Sequence, residues 1–255
     1  MMSHNITLLR HALSIANLDQ IVQGQHDYPL SEEGRHQAKA LATYWANNNI
    51  HFDHVISSPL LRARETAEII TKVMKLKLTP LKKGQTREED RYMWGFGLRP
   101  NPHIYPFPLL KGSFFSALKI EFDEIWMEQH LGAAESVEYE SVREWYQGRS
   151  RPTAYEPAFE SGESEWDIFL RAGRAIQMLI RRPPGAYLIV SHGALLGAVL
   201  RAIIGIAPGG GRLRPVKFNF DNTGYALLNY EIQTARWSIE ALNHTRHLDP
   251  DRDLV

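Results

Sequence analysis

The chain of 255 residues contains no cysteine. Disulfides, thiolate zinc sites and a cysteine nucleophile are therefore excluded. It also lacks net charge, with 29 Lys and Arg against 29 Asp and Glu. No global field draws it to nucleic acid or to an anionic membrane. Long apolar runs are missing too, and none reaches the length of a membrane span. The N-terminus does not show the basic-then-apolar order of a signal peptide, because Leu8-Leu9 is followed at once by Arg10. Internal repeats and low-complexity tracts are absent. The expectation is a cytoplasmic protein with one α/β domain over 1–255, long enough to hold an insert.

What is present begins with Asn5 to Asn17. Ile6 to Leu9 is a short, partly β-branched apolar run suited to a buried strand, and it stops at Arg10-His11. In open α/β sheets, ligands gather beyond the carboxyl ends of the strands. Arg-His recurs at Arg35-His36 and Arg246-His247, so the dipeptide alone carries no message. Only the first copy follows a strand-like run. Ser31, with Glu32 and Glu33 behind it, predicts a helix start, and Ala38, Leu41, Ala42 and Trp45 its apolar stripe. His54 to Ser57 reads as a second strand, and Ser58-Pro59 opens a helix running to about Met74. There Arg64, Glu68, Lys72 and Lys75 share a solvated stripe. Arg62 lies about 200° around the axis from Arg64, in the first turn, where free N–H groups favour an anion. If either arginine serves a site, it is Arg62.

A strand is expected at Leu76 to Leu81. From 82 to 161 the pattern breaks into a segment rich in proline, glycine and aromatics, too long for a connection, which reads as an inserted cap. Helices are expected within it near Phe115 to Leu131 and Ser141 to Tyr146. Ser164 with Asp167 resembles a capping box. Trp166, Phe169, Leu170, Gly173, Ile176 and Ile180 mark one face of the helix that follows. Ala186 to Val190 is a continuous apolar run, the mark of a central parallel strand. It ends in Ser191-His192-Gly193, before an apolar helix. Val216 to Phe220, Tyr225 to Tyr230 and Trp237 to Leu242 read as strands forming a hairpin and an edge. The fold class expected is a three-layer αβα sandwich with a mostly parallel sheet and an antiparallel edge.

Three strands thus end in Arg10-His11, in Ser57-Ser58 leading to Arg62, and in Ser191-His192. Side by side, they would gather two imidazoles and two guanidinium groups. Such a set opposes a metal cation and suits a phosphoryl group, whose oxygens arginine forks bind in pairs while an imidazole attacks phosphorus.

Arg10-His11 with Ser14, Asn17, Gln23-Gly24, Asp27, Pro29-Leu30-Ser31 and Gly34 resembles the N-terminal signature of the histidine phosphatase superfamily. Ser57-Ser58-Pro59-Leu60 with Arg62, Ala63, Thr66 and Ala67 resembles the second motif of its phosphoglycerate-mutase-like branch, and Ser191-His192-Gly193 the third. Ala12 departs from the pattern, which has glycine there. The resemblance implies that His11 becomes phosphohistidine, that Arg10, Arg62 and His192 hold the phosphoryl oxygens, and that Asn17 adds a hydrogen bond. Ser14, Gln23 and Gly24 would line the pocket. It further implies two in-line transfers with no metal or other cofactor, on a small phosphorylated substrate. Neither nucleic acid nor membrane is an expected partner, and an exposed edge strand is compatible with a homodimer.

The family also places a glutamate after the third strand, before a glycine-containing aromatic stretch, as general acid. Thr86 to Arg91 precedes Trp94-Gly95-Phe96-Gly97 here, so Glu89 is the expected acid, with Glu88 and Asp90 as alternatives. Their pairing with Arg87 and Arg91 is the competing structural explanation. Glu163 resembles a Gly-Glu-Ser motif of the family and is either structural or an alternate acid. The activity expected is a phosphomonoesterase. A phosphoglycerate-type mutase and a non-catalytic phosphate-binding scaffold are the rivals. A kinase is disfavoured because no P-loop with its lysine is present, and Gly209-Gly210-Gly211 is only a loop.

Overall fold

The computed structural model describes residues 2–78, 119–145, 147, 152–157, 159–209 and 216–248. A six-stranded sheet in the order β3-β2-β4-β1-β5-β6 organises them. Its strands are β1 (Ser3–Arg10), β2 (His54–Ser57), β3 (Ile120–Phe122), β4 (Gly185–Ser191), β5 (Tyr225–Glu231) and β6 (Arg236–His244). The pairs β1–β4, β2–β4 and β2–β3 are parallel, whereas β1–β5 and β5–β6 are antiparallel. The mixed α/β class with an antiparallel edge is as expected.

Strand periodicity of two divides the buried side chains between the two faces. Ile6, Leu8 and Ile189 pack with Ile168, Ala172 and Ala175 of α5 (Glu165–Ile180) and Leu196 and Val199 of α6 (Gly193–Ile204). Leu9, Leu188 and Val190 face the other way. They meet Leu41 and Trp45 of α2 (Glu32–Asn47) and Ala63, Ala67 and Ile70 of α3 (Leu61–Leu78). Two short helices, α1 (Ile15–Leu18) and α4 (Tyr139–Trp145), complete the described set.

Four expectations are corrected. Leu76 to Leu78 continue α3 instead of starting a strand, and 79–81 lie outside the described residues. An alternating Leu-Lys-Leu run suits either period, and here it extends a helix already in place. The helix expected to Leu131 is not present over 119–131, where β3 and a 3-10 turn at Glu124–Trp126 stand. A segment assigned to the cap therefore adds a strand to the main sheet, through Val55↔Ile120. Residues 216–220 form neither strand nor helix. Finally, α5 buries Ile168, Ala172, Ala175, Ile176 and Leu179, while Leu170 is 59% exposed. The helix has apolar residues on two stripes, and the one with small alanines is the one that packs on α6 and the sheet.

Candidate active site

Register assembles the site. Arg10 on β1 pairs with Ser191 on β4, so the residues that follow, His11 and His192, emerge side by side. Their ring centroids are 5.1 Å apart, close to the spacing of neighbouring strands. On the other flank Ser57 pairs with Val190, and Ser58 N–H donates to the Val190 carbonyl. Arg62 then enters from the first turn of α3, 1% exposed. Arg64, by contrast, pairs with Glu68 at the surface.

His11 is fixed from several sides. Its N–H donates to Ser191 O at 2.9 Å, and its carbonyl accepts from Asn222 Nδ2 at 3.1 Å. Thr66 Oγ1 holds the next residue by accepting Ala12 N–H at 3.0 Å. Ala12 fills a buried cluster with Leu30 and Ala38, which is where its additional methyl goes. In the ring, Nδ1 lies 2.7 Å from the Ala12 carbonyl and must donate to it. The lone pair is therefore on Nε2. Burial, then the charges of Arg62 and Arg10, hold the pKa of His11 well below its ordinary value.

His192 is completely buried, and its pKa is also held well below the ordinary value, by burial first and Arg62 next. Its Nε2 lies 2.8 Å from Ser58 Oγ, which itself accepts Leu60 N–H. If the serine hydroxyl donates to Nε2, the ring proton sits on Nδ1. That Nδ1 has no partner among the described residues, and neither do Nε of Arg10 and Nε of Arg62. Three buried nitrogens without a partner in one neighbourhood, two of them guanidinium N–H donors, fit an anion. Other guanidinium N–H groups are committed to carbonyls: Arg10 to Phe220, and Arg62 to Gly24 and His26. Burial lowers the pKa of Arg62 to about 10, which leaves it charged at neutral pH.

A cleft of about 460 Å³ opens onto this cluster, and Arg10, His11, Gln23, Gly24 and Arg62 line it. Gly24 has φ +49°, a conformation that favours glycine, and a Cβ there would displace the Glu135 carboxylate. Ser14 and Asn17 stand behind the wall. They form the capping box of α1, and Ser14 Oγ lies 2.8 Å from Gln23 Oε1. Glu88, Glu89 and Asp90 lie outside the described residues. The carboxylate of Glu163 is bound to Arg171 rather than facing the cleft.

Sequence reasoning missed Glu128. It lines the cleft, and its charge acts on both Arg10 and Arg62. Its carboxylate accepts from Ala194 N–H at 3.2 Å and Leu195 N–H at 3.1 Å. It thus caps α6, whose own N-cap residue, His192, makes no side-chain capping bond. The signal was present: Glu128 follows β3 and stands four residues before Gly132. Placing the third strand at Leu76 moved the search upstream. Asn222, which also holds His11, offered no signal beyond a turn. Among the described residues, no group of three or more His, Asp and Glu could hold a metal ion.

The family model of the histidine phosphatase superfamily (branch 1) matches residues 6–85 and 112–245. A probable phosphoglycerate mutase GpmB from Yersinia enterocolitica is 26% identical over 248 residues, covering 96% of this chain and 94% of that protein. Among solved structures, the phosphoglycerate mutase of Bacillus anthracis superposes with a TM-score of 0.67 at 17% identity, covering 97% and 96% of the two chains. A mycobacterial glucosyl-3-phosphoglycerate phosphatase gives 0.64 at 22% identity, covering 94% and 98%.

Proposed function

Because the chain belongs to the histidine phosphatase superfamily, we propose that it is a phosphatase hydrolysing a small organic phosphomonoester through phosphohistidine on His11. One observation carries the reading. A neutral imidazole with its lone pair on Nε2 stands among Arg10, Arg62 and His192, each with a buried nitrogen that has no partner among the described residues, and a carboxylate adjoins the arginines. His11 Nε2 attacks phosphorus as the bond to the leaving oxygen breaks, and Glu128, which enters this step protonated and leaves it as the carboxylate, gives that oxygen its proton. Water then attacks the phosphohistidine, Glu128 takes a proton from it, and the N–P bond breaks to release phosphate. The guanidinium groups and His192 stabilise the spreading charge, so positioning and electrostatics carry most of the catalysis.

Beyond the arginines, Val142, Phe159, Ile168 and Phe218 give the cleft an apolar wall for the organic part of the substrate. A phosphatase is preferred to a mutase because the longer glycine-rich, basic motif of phosphoglycerate mutases is not visible in this chain. The resemblance to a probable mutase keeps the second reading in play. Product analysis decides between them. With 3-phosphoglycerate and its bisphosphate, phosphate release is expected to exceed isomerisation, and the reverse would make the chain a mutase. A panel of phosphomonoesters would identify the preferred substrate. Binding without turnover, even of an activated aryl phosphate, would instead favour the scaffold.

A further inference from the structure

Glu128 is not on a helix or strand. It follows the 3-10 turn Glu124–Trp126 in an irregular segment. A general acid must nevertheless sit within about 3 Å of the oxygen it protonates, so something has to fix this stretch of backbone.

Arg171 of α5 does so with all five of its N–H donors. Nη1 donates to Ile125 O at 3.0 Å and Met127 O at 2.7 Å, and Nη2 donates to Glu128 O at 3.1 Å. The remaining two reach Glu163, Nε to Oε1 and Nη2 to Oε2, each at 2.7 Å. Glu163 grips the same segment from its far side. Its Oε2 accepts His130 N–H at 2.9 Å, its own N–H donates to His130 O at 2.8 Å, and its carbonyl accepts from Gln129 Nε2 at 3.1 Å. The residues on either side of Glu163 fit this purpose. Gly162, at φ +94°, lets the backbone come so close to the His130 carbonyl that any Cβ would collide with it. Ser164 caps α5, the helix that carries Arg171.

We propose that the Arg171–Glu163 pair is a positioning clamp for Glu128, setting the distance from the acid to the leaving oxygen. The clamp rests on Glu128 being the acid of the proposed reaction. Arginine is required because lysine, with three donors and no planar fork, cannot bind three carbonyls and a carboxylate together.

The test is a leaving-group series, because an activated aryl phosphate needs little protonation and an alkyl phosphate needs it fully. Values of kcat/KM for p-nitrophenyl phosphate and for alkyl phosphates are compared in wild type, Glu128→Gln, Glu163→Gln and Arg171→Lys. Glu128→Gln is expected to lose about 100-fold on alkyl phosphates and far less on the aryl ester. Glu163→Gln, which keeps an acceptor for His130 N–H, and Arg171→Lys are expected to lose about tenfold on alkyl phosphates, with the same skew. Combining either with Glu128→Gln should add little, as for groups acting as one unit. Equal losses on both substrate types, beside a skewed Glu128→Gln, would overturn the clamp alone. An unskewed Glu128→Gln would overturn the acid assignment and the clamp with it.

Discussion

Nδ1 of His11 donates to the Ala12 carbonyl at 2.7 Å, and that bond decides what the ring can do. It gives Nε2 the lone pair, and the flanking arginines keep the ring from taking a second proton. Protonation would occur only well below pH 6.5, because burial, Arg62 and Arg10 all oppose it. An NMR titration of His11 is expected to show a midpoint well below 6.5 in the free enzyme. In Arg62→Met, one opposing charge is gone and the midpoint should move upward. A midpoint near 6.5 in the wild type would mean that neither burial nor the arginines act on the ring.

At the scale of elements, α5 begins with a reciprocal capping box, in which Ser164 Oγ accepts Asp167 N–H at 3.1 Å and Asp167 Oδ2 accepts Ser164 N–H at 2.9 Å. Ser164→Ala is expected to cost about 1 kcal/mol in urea unfolding. An unchanged midpoint would show that tertiary packing alone sets the end of the helix. This box was legible because capping is local chemistry, confined to four residues. So were the three central strands, whose apolar runs reflect burial on both faces. β3 was not legible. At three residues, Ile120–Phe122 is too short to show a period, and it belongs to the sheet only through its register with β2. Losing β3 also hid Glu128, which stands six residues beyond the end of that strand. Arg62 was readable from its angle around α3. No spacing could indicate that Arg171 would reach the carbonyls of Ile125 and Met127, since that depends on how α5 packs.

Across the whole molecule, several histidines are folded away in neutral form. His247 donates or accepts at Thr223 Oγ1 over 2.8 Å, and burial followed by the nearby His244 brings its pKa down to about 3. His11 and His192 are lowered for reasons of the same kind. In the unfolded chain these rings take up protons around pH 6.5, so below that pH the unfolded state binds more protons and stability falls as pH falls. For His247 alone, the loss reaches about 2 kcal/mol near pH 5. Urea midpoints should therefore drop between about pH 7.5 and pH 5, with a shallower drop in His247→Gln. Equal slopes in the two proteins would remove His247 from the acid response.

The most direct test of the account is chemical trapping of the intermediate. Enzyme mixed with a phosphomonoester that it turns over is quenched in alkali and digested, and its peptides are analysed by mass spectrometry. One phosphoryl group is expected on the peptide containing His11, labile to acid and missing from His11→Ala, which should have lost turnover. Phosphate attached to another residue, or His11→Ala turning over at the wild-type rate, would contradict it.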